Sequence, residues 1–184
     1  LGHGIISQLQ NGASDGITEF APVNKTYLFT IKHALGPLGP YENFTSSLPT
    51  PSGIALAPDG VTLWISEHVD SSFDSYNTQT KSFTRYWTSK TNDAFGYSVS
   101  FPNGLAIDNS GNVWIAEHYG SKIAEFNSNT NVLTEYVVSC CGANGAAGTY
   151  SLALGKGGSV WFVEIYGNAI GELKPVAANQ TFSL

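Results

Sequence analysis

The 184-residue sequence predicts an all-β chain organised as a partial β-propeller of about three and a half four-stranded blades. Three observations carry that reading. A unit in the range of about 40 to 50 residues recurs along the chain. Each copy breaks into short apolar runs separated by Gly, Asn, Asp and Ser turns. No segment sustains a capped apolar pattern of helical period, so helices are minor.

The repeat is clearest between Val61–Tyr86 and Gly111–Tyr136, which align at an offset of 50 without a gap. Nine of the 26 positions are identical: Trp64/Trp114, Ile65/Ile115, Glu67/Glu117, His68/His118, Ser71/Ser121, Asn77/Asn127, Thr80/Thr130, Thr84/Thr134 and Tyr86/Tyr136. A third copy follows at an offset of 47, with Trp161, Glu164, Ile170, Glu172 and Leu173 answering Trp114, Glu117, Ile123, Glu125 and Phe126. Near the N-terminus Gly4–Leu9 and Ile17–Phe20 match the last two strands of a copy. Chance similarity within a single β-sandwich would not produce nine matches in one ungapped window.

The strands follow from the turns. In the second full copy strand A is Gly104–Ile107, and Asp108-Asn109-Ser110-Gly111-Asn112 supplies residues that tolerate positive φ. Strands B, C and D are Val113–Ala116, Ile123–Phe126 and Leu133–Val137. The first copy places them at Gly53–Ala57, Thr62–Ser66, Phe73–Tyr76 and Phe83–Trp87. The third gives Ser151–Leu154, Val160–Val163, Ile170–Leu173 and a last strand near Thr181–Leu184. The domain is then partitioned as a half blade (1–23), an insertion loop (24–50), a blade (51–90), a loop (91–99), a blade (100–138), a Cys-containing loop (139–148) and a blade (149–184).

Composition narrows the function classes. Eight Lys and Arg against fourteen Asp and Glu give a net charge of −6, which leaves no electrostatic footprint for nucleic acid or an anionic membrane. No apolar run approaches the ~20 residues of a membrane span. Cys140 and Cys141 are adjacent; a vicinal bridge would be strained, because neighbouring Cα atoms lie closer than relaxed disulfides prefer. Free thiols, a vicinal disulfide and bonds to other cysteines all stay open. Sequons at Asn24, Asn43 and Asn179, together with scarce Lys, point to an extracellular or cell-surface glycoprotein. Phosphate loops, dinucleotide fingerprints, zinc-protease and nucleophile-elbow motifs are absent, and Gly155-Lys156-Gly157-Gly158 precedes a strand, not a helix.

The strings Pro51-Ser52-Gly53-Ile54-Ala55, Trp64-Ile65-Ser66-Glu67, Pro102-Asn103-Gly104-Leu105-Ala106, Thr134-Glu135-Tyr136 and Trp161-Phe162-Val163-Glu164 with Asn168-Ala169-Ile170-Gly171 resemble the streptogramin (virginiamycin B) lyase family. They are also similar to gluconolactonase-like propellers. The resemblance implies a seven-bladed ring of which this chain is part. It further implies a Mg²⁺-dependent opening of a cyclic depsipeptide at an ester bond, with a catalytic His at the start of a strand A. The matching positions here are Ser52, Asn103 and Ser151 or Tyr150, none of which is His. Neither Ser nor Asn titrates near neutral pH, so a proton-abstracting base would have to come from another blade.

Three and a half blades cannot close a ring, and terminal sheets of this composition leave apolar faces bare. The expected partners are therefore the missing blades of a longer parent chain or other protein subunits, with a small-molecule or peptide ligand on one face.

The connections between strands B and C, and those between D and the next A, fall on the same face of a propeller. They place Glu67, His68, Glu117, His118, Glu164 and Tyr166 there as ligand-face candidates. Their carboxylates and imidazoles suit a divalent cation (Mg²⁺ or Ca²⁺) or acid–base work. The competing expectation is structural: a Glu ending strand B in every repeat accepts backbone or Trp N–H bonds from the next blade, while Trp64, Trp114 and Trp161 fill the core. Glu19, Glu125 and Glu135 read as solvated outer-strand residues, and His3 and His33 as loop residues.

Overall fold

The computed structural model describes residues 6–9, 17–22, 42–44, 50–89, 99–138 and 146–174. The chain divides into two compact units, Leu1–Pro51 and Ser52–Leu184. In the first, β1 (Ile6–Leu9) and β2 (Ile17–Pro22) form the expected antiparallel hairpin, with Ile6 opposite Phe20. A short β3 (Glu42–Phe44) joins β2 in parallel register. It falls within 24–50, where the sequence reading has only an insertion, because three residues are too few to carry an alternation signal.

The second unit is a succession of three antiparallel sheets, each in simple chain order. The first contains β4 (Pro51–Leu56), β5 (Thr62–Glu67), β6 (Ser72–Asn77) and β7 (Ser82–Trp87). The second contains β8 (Pro102–Ile107), β9 (Asn112–Glu117), β10 (Lys122–Asn127) and β11 (Val132–Val137). The third has β12 (Thr149–Leu154), β13 (Val160–Glu164) and β14 (Ala169–Leu173). This is the expected partial propeller. The fourth strand expected near Thr181–Leu184 lies outside the described residues. Strands β8 and β12 begin two residues earlier than the sequence reading has them. Pro102 opposes Glu117, and Thr149 opposes Glu164, across an irregularity that a two-residue period does not reveal. A single 3-10 turn, Lys156–Gly158, is the one helical element among the described residues.

Repeated residues make repeated turns. Asp59 Oδ1 accepts the amides of Val61 and Thr62, and Asp108 Oδ1 those of Ser110 and Asn112. Asn77 Oδ1 accepts from Gln79 and Thr80, as Asn127 Oδ1 does from Asn129 and Thr130. These side-chain acceptors hold the A–B and C–D turns closed. Ser71 and Ser121 end the B–C turns with left-handed φ of 54° and 50°. Their hydroxyls accept amides of the following connection, Ser100 for Ser71 and Ala147 and Gly148 for Ser121.

Strand alternation turns each strand-B Trp towards the next sheet and its two neighbours towards the preceding one. Trp64 and Phe73 cluster with Val113, Ile115, Ala124 and Phe126 of the second sheet, the Trp64–Phe126 centroids lying 5.6 Å apart. Trp114 clusters in turn with Val160 and Phe162 of the third. Trp64 and Trp114 are 4% and 3% exposed, while Trp161, the same residue of the last described sheet, is 44% exposed.

The innermost strands approach closely enough to need glycine. A Cβ on Gly104 would lie 2.8 Å from both the Ser151 Cα and the Tyr150 carbonyl, and one on Gly53 would strike the Asn103 carbonyl. The Gly of the recurrent Pro-x-Gly string is thus a spacing device between sheets. We expect Gly104→Ala to destabilise the chain by about 2 kcal/mol, read as a lower denaturant midpoint in urea at unchanged slope. Unchanged stability would show that the sheets can separate freely.

Candidate functional site

In the second and third sheets the B–C turn packs on the connection that leads into strand A of the same sheet. His118 N–H donates to the Phe101 carbonyl, Tyr119 and Gly120 to that of Ser100, and Tyr166 to that of Ala147. Six rings from three sheets stand in one row at this face. His68 and His118 stack at 5.6 Å with 19° between planes, and His118 stacks on Tyr166 at 5.3 Å and 23°. Tyr150 meets His118 edge-on at 5.2 Å, and Tyr119 does so at 4.7 Å. Phe101 lies 5.2 Å from His68. Of the candidates, His68, His118 and Tyr166 therefore come together. Phe101, Tyr119 and Tyr150 are additional; the sequence signal for them is only that each adjoins a strand end on this face.

His118 is 7% exposed, and neither ring nitrogen has a hydrogen-bond partner; Nδ1 of His68 is likewise buried without one. Burial, with a smaller contribution from His68, pushes the His118 pKa down to about 4. Burial also lowers that of His68. Both imidazoles are neutral at pH 7, so the row is uncharged, with His118 buried between His68 and Tyr166 and with Tyr150 exposed beside it.

The carboxylates Glu67, Glu117 and Glu164 are buried on the other side of the strand-B ends. Glu117 corrects the expectation that a strand-B Glu accepts N–H bonds from the next blade. Glu117 Oε2 lies 3.1 Å from Lys122 Nζ of its own sheet. Lys122 Nζ also donates to Glu135 Oε1 at 3.1 Å and to Ser89 Oγ at 2.7 Å, and the Ser89 hydroxyl donates to Glu135. The Trp114 indole N–H goes to Asp108 of its own A–B turn. Glu135 is thus part of a half-buried ion network and not solvated, because Lys122 of its own sheet and Ser89 from across the joint both reach it. Glu125 likewise accepts from the Tyr136 hydroxyl at 2.9 Å.

Burial pushes the Glu117 carboxyl up to about 8 against the pull of Lys122. Burial acts the same way on Glu135, but hydrogen bonds from Ser89, Glu117 and Lys122 hold it below the usual carboxylate range. In the first sheet the corresponding positions carry Ser72, Asp74 and Arg85. Arg85 binds Asp74 through two bonds of 2.9 and 3.0 Å, with Glu67 nearby adding to the field that raises its pKa. In the third sheet Ala169 and Gly171 stand there, and Glu164 Oε2 is buried without a partner.

Among the described residues no three His, Cys, Asp or Glu side chains gather to hold a metal ion. With Glu117 engaged by Lys122 and the imidazoles stacked, these residues do not fit a Mg²⁺ or Ca²⁺ site. Asn24, Asn179, Cys140, Cys141, His3 and His33 lie outside the described residues, and Asn43 falls in β3. Glu19 lies in β2. No described helix is long and apolar enough to cross a membrane.

The family model for the SMP-30/gluconolactonase/LRE-like region matches residues 17–146. The chain belongs to this family. Among solved structures it is similar to virginiamycin B lyase of Staphylococcus aureus, with a TM-score of 0.66, 20% identity, and coverage of 93% of this chain and 45% of that one. A catalytically inactive form of the Staphylococcus aureus lyase with quinupristin aligns at 25% identity and a TM-score of 0.59, over 72% of this chain and 41% of that one. A streptogramin B lyase aligns at 20% identity and a TM-score of 0.60, over 94% of this chain and 49% of that one. The chain spans less than half the length of these structures. No curated protein matches at the sequence level. The relationship to the lyase-like propellers is distant and structural, and among the described residues the strand-A starts carry no imidazole: Ser52 bonds Ser66 and the Pro102 carbonyl instead.

Two pH dependences follow. Glu117 binds its proton more tightly folded than unfolded, so its contribution is complete below about pH 4.5 and is lost as pH rises through 8. Glu117→Gln is expected to remove that alkaline loss in thermal melts; an unchanged slope between pH 6 and 9 would assign the loss elsewhere. His118 has the opposite sign. Its depressed pKa contributes stability above about pH 6.5 that is lost as pH falls towards 4. His118→Phe should therefore flatten the acid limb of the same melts.

Proposed function

We propose that this propeller is an extracellular binding module whose ligand lies on the face built from the B–C turns. The carrying observation is the row His68, His118 and Tyr166, stacked across three sheets, with His118 buried at its centre and Tyr150 exposed beside it. Neutral rings suit a flat, uncharged ligand that stacks on the half-buried His68, Tyr119 and Tyr166 and the exposed Tyr150, which separates this face from sites for phosphates or metal ions. Support for the extracellular setting comes from the sequons at Asn24, Asn43 and Asn179 and the low Lys content. In the whole ring the open sheet flanks are covered by further blades of a longer chain or by other subunits.

The quinupristin-bound relative motivates a second reading: opening of an ester-bearing cyclic ligand by a divalent metal and an imidazole base on another blade. The described sheets favour binding, because Ser52, Asn103 and Tyr150 or Ser151 occupy the base's place and the carboxylates are engaged or lack a second metal ligand. Quinupristin is the probe that separates the two. Titration calorimetry is expected to give binding that His118→Ala weakens about tenfold, because the buried ring holds His68 and Tyr166 in their stacked places. Chromatography is expected to recover the ligand intact. Opening of the ring in the presence of Mg²⁺ would overturn the binding reading in favour of the lyase.

A further inference from the structure

At the end of the sheets opposite the B–C turns, the seam between the first and second sheets opens into a cleft of about 290 Å³. Trp64 lines it, with Pro58 and Asp59 of the first sheet and Asn109, Ser110 and Asn129 of the second. It lies between two described sheets, away from the flanks that further blades would cover. The repeat shows what this cleft lacks. In the second sheet the Trp114 indole N–H donates to Asp108 Oδ2 at 3.2 Å. In the third, the Trp161 indole nitrogen would stand 2.8 Å from a Cβ on Gly155, which aligns with Asp108. Strand-B indoles therefore aim their N–H at this one position of the A–B turn. In the first sheet that position is Pro58, whose side chain accepts nothing, and the neighbouring Asp59 already accepts from Val61 and Thr62. Trp64 is 4% exposed, and among the described residues its indole N–H has no acceptor. A donor so placed is satisfied only from the cleft.

The lining selects what can satisfy it. Lys and Arg are absent from it and its one charge is the Asp59 carboxylate, which repels phosphates and carboxylates. One carboxylate, with its oxygens engaged by its own turn, does not make a cation site. The side chains of Asn109, Ser110 and Asn129 are exposed and engaged in no hydrogen bond among the described residues. They offer both donors and acceptors around an aromatic floor. The geometry points to a binding site for a neutral sugar ring, one oxygen of which accepts the Trp64 N–H while its hydroxyls bond Asn109, Ser110 and Asn129. The volume suits a single ring, near the ~300 Å³ lower end of small-molecule sites. This site is separate from the row of rings and does not depend on what that face binds.

The test is the indole region of the nitrogen–proton NMR spectrum of the 184-residue chain, which has four tryptophans. D-glucose, D-galactose and D-mannose are titrated in separately, and Trp64→Phe identifies the Trp64 signal by its loss. At least one of these sugars is expected to shift that signal saturably, with a Kd of about 1 mM, while the other indoles stay in place. Pro58→Asp, which restores the acceptor of the second sheet, should move the Trp64 signal without sugar and abolish the response. Asn109→Ala should raise the Kd about fivefold, the loss of one amide's hydrogen bonding. Both positions are exposed, so the variants should fold. No saturable shift with any of the sugars, equal shifts of all the indoles, or a Kd that neither variant changes would each overturn the assignment.

Discussion

Each sheet of the second unit presents one tryptophan forwards and, from the two adjacent residues, an apolar pair backwards. That opposition is a property of the β-strand, whose successive side chains leave on opposite faces. It obliges Leu63-Trp64-Ile65, Val113-Trp114-Ile115 and Val160-Trp161-Phe162 to serve both joints of a sheet at once. Burying a Trp with its aromatic neighbours removes a large apolar area from water, and the Phe73, Tyr86 and Phe126 rings around Trp64 fill the joint at centroid distances of 4.7 to 6.0 Å. Everything nearer the ligand face depends on that stack. It sets how far apart the B–C turns stand, and so whether a ring on one turn can reach the next.

The row of rings is a by-product of this spacing. His68 and His118 occupy the same position in successive repeats, and the joint brings equivalent positions to stacking distance. The third member is not the equivalent residue, which is Ile165, but Tyr166, one place further on. A repeat fold thus gathers like residues without any local motif; the chemistry lies between copies and not within one. The carboxylates show the complementary case. They share a position yet have different surroundings, with Lys122 beside Glu117, the Arg85–Asp74 pair near Glu67, and Ala169 and Gly171 beside Glu164.

Much of the fold was legible because turns and alternation are local. Asp59, Asp108, Asn77 and Asn127 mark the turns they close, and the Trp positions mark the joints. What escaped detection is non-local. The early starts of β8 and β12 hide behind irregular pairing, and β3 is too short to alternate. Lys122 and Glu135 were legible only as departures from the repeat, Lys for Ser72 and Glu for Arg85, and a paired departure of opposite sign is the trace of a contact. Glu135 reads as an outer-strand residue until Ser89, 46 positions away, is seen to bond it. The candidate site follows the same division: His68 and His118 stand out as identities, whereas Phe101, Tyr119 and Tyr150 enter through packing alone.

The swapped charges have one more consequence. Where the first sheet carries Asp74 and Arg85, the second carries Ala124 with Lys122 and Glu135, and its lysine reaches back to Ser89 at the exit of the sheet before it. Apolar joints alone would let any wedge follow any other, since the Trp rule is common to all three. The ionic groups act as a lock whose wards differ from seam to seam. A different neighbour would leave Lys122 paired with Glu117 and Glu135 of its own sheet but without Ser89, so the Ser89 bonds mark this seam from the next.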